Sequence, residues 1–209
     1  MDSTYLQQGF TDQITLPIKT IIECGSRDGK DAVEMNEYYH PDIIYTFECN
    51  PESIPVCEKN IEVIPNIQLI KKAVFHRNMK DLRFYATDMD KSIDKNIGAS
   101  SLLWHKDQIN YIQKKVLVDS IRLDTFMKRM KIDKVDLLCM DLQGTELLAL
   151  KGLGKRIYDI HYIISEISFI SYYHGDVNYK KLRGFLKDYG FDLVVRIGGD
   201  ALFKNNKYE

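Results

Sequence analysis

The feature that most constrains the fold of this chain is a regular alternation of short apolar runs with segments of helical pattern. The run VDLLCM at residues 135–140 is typical of a parallel strand that helices cover on both faces. Such alternation predicts a Rossmann-like α/β fold, doubly wound around a mostly parallel sheet. Further strands are predicted at 19–24, 42–49, 66–75 and 160–169, and helices at 29–39, 51–61, 144–157 and 178–190.

The C-terminal region predicts a different connection. Two apolar runs at 191–197 and 201–204 flank a turn that contains Gly198 and Gly199. This pattern indicates a β-hairpin, which would add an antiparallel edge to the sheet. Because no linker or internal repeat interrupts the sequence, we expect residues 1–209 to form a single domain.

Residues 75–120 fit this alternation poorly. Residues 82–86 are a candidate for an extra strand, and residues 113–127 predict a short strand that leads into a helix at Leu123. Between them, residues 87–105 form a long polar segment. Since a long loop in a compact domain is more often functional or mobile than accidental, we interpret it as the substrate side, with plain disorder as the alternative.

The composition restricts the partners and the compartment. A formal net charge of −1 provides no basic field for non-specific nucleic-acid binding, so we expect no nucleic-acid partner. No apolar run approaches the roughly 20 residues that span a membrane, and the polar N-terminus lacks the pattern of a signal peptide. The four cysteines form no CxxC pair, so no zinc site is expected. Cys24, Cys49 and Cys139 lie in or beside apolar runs, which is typical of reduced core thiols. These features predict a cytoplasmic protein without a membrane partner, and they leave the oligomeric state open.

The turn CGSRDG after the first predicted strand has the position of a ligand-binding loop. Gly25 and Gly29 allow a sharp turn and a close approach to a ligand. A dinucleotide fingerprint would need a middle glycine, and the acidic Glu23, Asp28 and Asp31 would repel a pyrophosphate. These charges suit the ammonium and sulfonium groups of S-adenosylmethionine, with a nicotinamide cofactor as the alternative.

Other strand ends complete this candidate cofactor site. Glu48 ends the second predicted strand with Cys49 beside it, and a carboxylate there can accept two hydrogen bonds from ribose hydroxyls. Ala73 and Val74 follow the third strand, where a backbone N–H and an apolar wall would hold adenine. Arg27 either faces the methionine carboxylate or points to water. The other predicted cofactor contacts are Glu23, Gly25, Ser26, Asp28, Ser101 and Asp141.

Several motifs resemble the FkbM family of S-adenosylmethionine-dependent methyltransferases. The turn ECGSRDG is similar to the first turn of that family, FECNPES at 47–53 resembles its FEPNP, and IRLDTFM at 121–127 resembles its LD segment. The most specific match is VDLLCMDLQGTELLALKGL at 135–153, and ISEIS at 164–168 resembles the segment with an acidic residue after the fifth strand. The resemblance covers about residues 20–190.

The resemblance implies a class I methyltransferase fold and methyl transfer from S-adenosylmethionine to a hydroxyl, which in many members belongs to a sugar or glycan. Two positions depart from the family pattern: Cys139 stands where a lysine is usual, and Gln143 where a glutamate is usual. We expect both departures to affect the acceptor side rather than the sheet or the cofactor pocket. The alternatives are a nicotinamide-dependent oxidoreductase on a similar sheet and a non-catalytic module that binds S-adenosylmethionine.

An alcohol acceptor must lose its proton, and a positioned base helps this step. The predicted catalytic candidates are Asp141, Glu166 and His174, with His105 as a further imidazole. Their ordinary roles would be capping of the following helix by Asp141 and solvation of the histidines in loops. Asp141, Glu146 and Glu166 also carry the oxygens that a divalent ion prefers, but no tight run of ligands appears and no metal site is predicted.

Residues in the predicted loops complete the list of candidates. Ser100 and Ser101 lie where they could reach the cofactor or the acceptor. Trp104, Tyr172 and Tyr173 are candidates to stack on the apolar face of a sugar. The sequence itself contains no motif that identifies the acceptor.

Overall fold

The computed structural model describes residues 3–208 of the 209-residue chain, so the ends of the predicted domain, Met1, Asp2 and Glu209, lie outside it. The strands, numbered in chain order, are β1 (Thr20–Cys24), β2 (Ile43–Phe47), β3 (Ile67–Ile70), β4 (Ala73–Val74), β5 (Met79–Thr87), β6 (Gln113–Ile121), β7 (Val135–Met140), β8 (Ile160–Glu166), β9 (Phe191–Ile197) and β10 (Asp200–Asn205). The α-helices are α1 (Gln8–Thr11), α2 (Lys30–Tyr39), α3 (Ile54–Ile61), α4 (Leu123–Met130), α5 (Glu146–Lys151) and α6 (Tyr179–Asp188). Short 3₁₀ turns lie at Thr4–Leu6, Ile97–Ala99, Gly154–Asp159 and Asn206–Tyr208.

The main sheet has seven strands in the order β3-β2-β1-β7-β8-β10-β9. β1 runs parallel to β2 and β7, β2 to β3, and β7 to β8, whereas β10 pairs antiparallel with β8 and β9. The predicted, mostly parallel sheet and its C-terminal hairpin are therefore confirmed. Within the hairpin, β10 inserts between β8 and β9, so β9 is the outer edge.

The register of the parallel strands aligns their carboxyl ends. Cys24 pairs with Phe47 on one side and with Met140 on the other, and Met140 pairs with Ser165. The residues that follow β1, β2, β7 and β8 therefore meet at one edge of the sheet. Ligands of open α/β sheets bind at this edge.

The mostly apolar sequence of β7 is explained by the burial of its side chains. All of its residues are buried. Leu137 and Cys139 pack in the core between the sheet and α1–α3, whereas Leu138 and Met140 pack in the core between the sheet and α4–α6. Each such apolar side chain stabilises the fold by about 1.5–3 kcal/mol when it is fully buried. Cys139 is one of three buried cysteines, and all four cysteines are free thiols.

The helices begin and end where the sequence has turn residues. Gly29, with a φ of 80°, precedes α2, and His40, with a φ of 49°, follows it. The Asn178 side chain caps α6 by accepting a hydrogen bond from the Lys181 N–H (3.1 Å). Among residues 3–208, no helix combines the length and apolar character that a bilayer crossing requires.

Two predicted elements are divided in the structure. The predicted strand 66–75 is split at Lys71 and Lys72 into β3 of the main sheet and β4 of another sheet, and the two lysines form ion pairs with acidic side chains. The predicted helix 144–157 is split into α5 and a 3₁₀ turn around Gly152. A Cβ at Gly152 would lie 2.7 Å from the backbone oxygen of Phe75, so this glycine permits close packing of α5 against the chain after β4.

The region that fits the alternation poorly forms a second sheet of three strands in the order β4-β6-β5. The extra strand expected at 82–86 is part of β5, and the strand and helix expected at 113–127 are β6 and α4. The polar segment between them is ordered by contacts with β5. Ser101 forms an isolated β-bridge with this strand, and the Ser100 hydroxyl accepts a hydrogen bond from the Thr87 N–H (3.0 Å).

Candidate functional site

A cavity of about 310 Å³ lies at the carboxyl edge of the main sheet. Its volume falls in the range of small-molecule sites, about 300–1,000 Å³. Its walls come from the N-terminal 3₁₀ turn, the loops after β1 and β7, the end of β2, strands β4 and β5, and the segment 97–102. The lining residues are Thr4, Tyr5, Gly25, Arg27, Asp31, Phe47, Glu48, Cys49, Asn50, Ser53, Lys72, Ala73, Val74, Phe84, Ile97, Gly98, Ser100, Ser101, Leu102, Asp141, Leu142, Gln143 and Thr145.

Gly25 lets the loop after β1 pass close to the loop after β7. Its φ is 92°, and a Cβ there would lie 1.8 Å from the backbone oxygen of Asp141. The N–H groups of Gly25 and Ser26 both donate to the Phe47 carbonyl oxygen (3.0 Å each), which ties this loop to the end of β2. Of these two predicted cofactor contacts, Gly25 lines the cavity, whereas Ser26 is buried outside the lining.

The charged residues of the first turn differ in whether they line the cavity. Arg27 and Asp31 line the cavity, and the predicted contact Asp28 does not. Asp28 instead forms an ion pair with Lys30 at the start of α2 (Oδ2 to Nζ, 3.3 Å). Asp31 faces the cavity, and burial raises the pKa of its carboxyl. The Arg27 side chain is 53% exposed, and its stem lies beside Gly98.

The N-terminal turn Thr4–Leu6 closes one end of the cavity. The Ser3 N–H donates to Glu34 Oε2 in α2 (3.0 Å), which holds this turn against the helix. Tyr5 is almost fully buried and lines the cavity. Burial and the neighbouring Asp141 raise the pKa of the Tyr5 hydroxyl well above its usual range, so the group stays neutral and can donate a hydrogen bond.

Glu23 is fully buried in β1, directly before the first loop, and lies outside the cavity lining. Its Oε2 accepts a hydrogen bond from the Thr46 hydroxyl, and its Oε1 has no partner within residues 3–208. Burial, together with the nearby Asp31, raises the pKa of Glu23 to about 8. A cationic ligand group bound at this end of the cavity would favour the charged forms of Asp31 and Glu23, because a nearby positive charge lowers the pKa of a carboxyl group.

Glu48 is positioned by three backbone N–H groups at the end of β2. Its carboxylate accepts hydrogen bonds from the N–H groups of Arg27 (2.7 Å), Cys49 (2.6 Å) and Asn50 (2.6 Å). Burial raises the pKa of Glu48 even though these three donors favour its charged form. A carboxylate has about four acceptor positions, so Glu48 can still accept a hydrogen bond from a ligand.

The predicted adenine side of the cavity has an apolar wall. The predicted contacts Ala73 and Val74 line it from β4, and Phe84 and Leu102 add further apolar surface. The predicted contact Cys49 also lines the cavity. This wall suits a flat heteroaromatic ring.

The two serines of the polar segment hold its backbone. Ser101 lines the cavity, and its hydroxyl donates to the Gln143 carbonyl oxygen (2.8 Å). The Ser100 hydroxyl donates to the Ile97 carbonyl oxygen (2.6 Å). Ser101 therefore connects the segment 97–102 to the loop after β7.

The loop after β7 brings two carboxyl groups and one amide together. Gln143 Nε2 donates to Asp141 Oδ1 (2.7 Å) and to Glu166 Oε2 (3.0 Å). Burial and the neighbouring charge of Asp141 raise the pKa of Glu166 well above its usual range. Asp141 lines the cavity, whereas Glu166 lies outside its lining.

Two further buried carboxyl groups lie in this region. Glu146 Oε1 accepts hydrogen bonds from the N–H groups of Leu142 (2.9 Å) and Gly144 (3.1 Å), so Glu146 supports the loop after β7. Burial raises the pKa of Glu146 to about 7 and that of Asp200 to about 6. In the part of the chain that the structure describes, no three His, Cys, Asp or Glu side chains are grouped to hold a metal ion.

Both candidate histidines lie outside the cavity. His174 is exposed, and its backbone N–H donates to the Trp104 carbonyl oxygen (2.9 Å). His105 is buried, its Nδ1 accepts a hydrogen bond from the Asp107 N–H (3.0 Å), and its ring packs against Tyr173. The pairing of these two loops turns His174 to solvent and uses His105 in packing. The structure therefore does not bring the predicted catalytic residue His174 to the site.

Sequence reasoning missed several residues of the cavity. Tyr5 has no recognisable signal, because it reaches the site only when the N-terminal turn packs against α2. Asn50 stands two residues after Glu48, and Phe84 lies in the strand candidate 82–86, so their positions were the only signal for these two residues.

The sheet order and the cavity at its carboxyl edge define a class I methyltransferase fold. Aeropyrum pernix fibrillarin in complex with S-adenosylmethionine is similar, with a TM-score of 0.54 and 16% identity over 91% of this chain and 68% of that chain. M. capricolum TrmK in complex with S-adenosylhomocysteine has a TM-score of 0.51 and 13% identity over 96% of this chain and 69% of that chain. At these identities the similarity establishes the fold.

The family follows from the sequence. Residues 23–193 match the Methyltransferase FkbM domain, and the chain belongs to this family of methyltransferases. The curated protein 2-O-methyltransferase NoeI of Sinorhizobium fredii (strain NBRC 101917 / NGR234) is 24% identical over 200 residues, which cover 91% of this chain and 81% of that protein. The predicted family is therefore confirmed.

Proposed function

We propose that this chain is an O-methyltransferase that transfers the methyl group of S-adenosylmethionine to a hydroxyl of a sugar or glycan. The observation that carries the proposal is the carboxyl group of Asp141 at the cavity wall, which the Gln143 amide links to the carboxyl group of Glu166. An alcohol acceptor needs such a proton acceptor. The name of the NoeI relative, a 2-O-methyltransferase, also supports a hydroxyl as acceptor.

The chemistry of the cavity fits S-adenosylmethionine. Tyr5 and Asp31, with Glu23 behind them, would hold the ammonium group. Glu48 would accept hydrogen bonds from the ribose hydroxyls, and the apolar wall around Val74 would hold adenine. S-Adenosylmethionine is the predicted cofactor, and the two similar structures hold it or its product.

The residues of this chain would position the acceptor and remove its proton. When bound, S-adenosylmethionine supplies a methyl group that is already activated, so positioning can provide much of the catalysis. Asp141 would accept the hydroxyl proton, and the Gln143 amide, which also donates to Glu166, would hold the Asp141 carboxyl in place. A general base of this kind contributes about 10²–10⁴-fold to the rate.

The test is a transfer assay with labelled S-adenosylmethionine against sugars, glycans, small phenols and RNA, with and without EDTA. We expect label on a sugar hydroxyl, with equal rates in EDTA. Label on RNA alone would refute the acceptor class and the prediction that nucleic acid is not a partner. Absence of transfer to any acceptor, with tight binding of S-adenosylhomocysteine, would favour the non-catalytic module.

The match to a methyltransferase family favours this function over the nicotinamide-dependent oxidoreductase. The acidic residue Asp31 in the cavity also disfavours a pyrophosphate. Calorimetry with NAD and with S-adenosylhomocysteine separates the two functions. Tight binding of NAD alone would contradict the proposal.

A further inference from the structure

A second, smaller cavity lies behind the loop after β7. Its volume is about 30 Å³, and Gln143 lines both this cavity and the larger one. Glu166, Tyr172, Tyr173 and Asp176 also line the small cavity. A space of this size holds a water molecule or a single hydroxyl-bearing carbon rather than a sugar ring. Gln143 therefore forms a wall between two cavities of different size.

The amide of Gln143 is held on both sides of this wall. Its Nε2 donates to Asp141 Oδ1 (2.7 Å) and to Glu166 Oε2 (3.0 Å). The Tyr173 hydroxyl lies 2.7 Å from Gln143 Oε1 and donates to it. The amide thus connects the carboxyl group that faces the large cavity with the one that faces the small cavity.

The backbone of Gln143 has a conformation that L-residues rarely adopt. Its φ is 50°, in the left-handed region, and the Ser101 hydroxyl donates to its carbonyl oxygen (2.8 Å). Gly144 follows with a φ of 95°, and a Cβ there would lie 2.7 Å from Asp176 Cβ. Strained backbone of this kind persists where the surrounding structure fixes a side chain in a required place.

We propose that Gln143 is a positioning residue that separates the cofactor cavity from the entrance for the acceptor, and that the acceptor hydroxyl displaces its amide from Asp141. This inference rests on the proposed function. The small cavity would admit the reacting hydroxyl and its carbon, while the rest of the acceptor lies outside against Tyr172, which is 50% exposed.

The reaction step balances without a further reactant. The hydroxyl oxygen forms a bond to the methyl carbon as the bond from that carbon to sulfur breaks, and the sulfur keeps the electron pair. The hydroxyl proton passes to Asp141, so a positive charge on sulfur is replaced by a proton on a carboxylate. Gln143 takes no part in bond formation; it keeps Asp141 and Glu166 oriented until the hydroxyl arrives.

The first test measures the carboxyl pair directly, by ¹³C NMR titration of labelled Asp and Glu side chains in the full chain. Gln143→Met keeps the length of the side chain and removes the amide donors that favour charged carboxylates. We expect the titration midpoints of the pair to rise by at least about one pH unit. Gln143→Glu, which adds a third carboxyl group, should raise them as well. Gln68→Glu on exposed β3 surface is the matched control and should leave them unchanged.

The second test measures catalysis and cofactor binding in the same variants. Affinity for S-adenosylhomocysteine should stay within about twofold. The pH profile of kcat should shift to higher pH, as the titration midpoints do, and the KM for the acceptor should change. Unchanged titration midpoints in Gln143→Met would overturn the link that the Gln143 amide forms between Asp141 and Glu166, even if methyl transfer occurs. If the wild type methylates no hydroxyl, the proposed function fails, and the role of Gln143 in acceptor entry fails with it. The NMR titration still decides whether the Gln143 amide links Asp141 to Glu166.

Discussion

The buried carboxyl groups at the two ends of β7 differ in whether a cationic side chain pairs with them. Near its start, Asp136 is fully buried, accepts hydrogen bonds from the N–H groups of Lys19 and Thr20 (2.9 Å each), and forms an ion pair with Lys134 (2.8 Å). Burial alone would raise the pKa of Asp136, but the ion pair and the two N–H donors outweigh it and hold this pKa below its usual value.

After the end of β7, the carboxyl groups remain unneutralised. Among residues 3–208, no Lys, Arg or His forms an ion pair with Asp141, Glu146, Glu166 or Asp200. Burial raises the pKa of Glu166 to about 10. A carboxylate paired with a lysine connects β1 to β7, whereas carboxyl groups without a cationic partner lie beyond the other end of β7, and Asp141 among them lines the cavity. The difference indicates that the carboxylate near the start of β7 serves folding, whereas the carboxyl groups after its end serve ligand binding.

Asp141→Asn should have the largest effect on activity. Loss of the proton acceptor should lower turnover about 100-fold or more. The free energy of unfolding should not fall, because no ion pair is broken. Turnover and the affinity for S-adenosylhomocysteine should be measured together. Wild-type turnover in this variant would remove Asp141 from the catalytic role.

The free energy of unfolding of the ligand-free protein should fall as the pH rises from about 5 to about 8. Glu23 has a pKa raised from 4.5 to about 8, so the folded state holds its proton longer than the unfolded state. Its contribution is present below pH 4.5 and is lost as the pH rises through 8. At about 1.4 kcal/mol per pKa unit, the loss over the whole range is about 5 kcal/mol, and most of it falls between pH 5 and pH 8. Denaturant unfolding should give a shallower dependence in Glu23→Gln, and an equal slope would contradict this assignment.

Asp136→Asn should destabilise the fold by about 2 kcal/mol, because hydrogen bonds to a charged group are lost. In a chain of this length, each kcal/mol lowers the Tm by roughly 2–4 °C. Turnover per folded molecule should equal that of the wild type. A loss of activity without a loss of stability would contradict the division between the two ends of β7.

Tyr5→Phe should have the smallest effect. Removal of one hydroxyl donor from the cavity should weaken binding of S-adenosylhomocysteine about fivefold, in keeping with a hydrogen bond of about 1 kcal/mol. Tyr38→Phe, on the exposed part of α2, is the control. Equal affinities in the two variants would place the Tyr5 hydroxyl outside the ligand contacts.

The parts of the molecule that depend on local pattern could be predicted from the sequence. The apolar run of β7, the hairpin turn at Gly198 and the strand-end position of Glu48 all follow from residue type and spacing. These features place Glu48 and Asp141 at one edge of the sheet, where the structure has them.

The remaining features depend on contacts between distant segments. Tyr5 reaches the cavity because the N-terminal turn packs on α2, and Asp31 on α2 lines the cavity whereas Asp28, in the loop before this helix, does not. His174 points to solvent because its loop pairs with the segment around Trp104. No periodicity or spacing in the sequence specifies these pairings.

The most direct test of the account is a calorimetric titration of S-adenosylhomocysteine into the wild type, Glu48→Ala and Asp136→Asn under conditions in which all three are folded. We predict that Glu48→Ala weakens binding at least about tenfold, because a charged hydrogen-bond acceptor for the ribose is lost. Asp136→Asn should bind with wild-type affinity. Wild-type affinity in Glu48→Ala would contradict the assignment of the carboxyl edge of the sheet as the cofactor site.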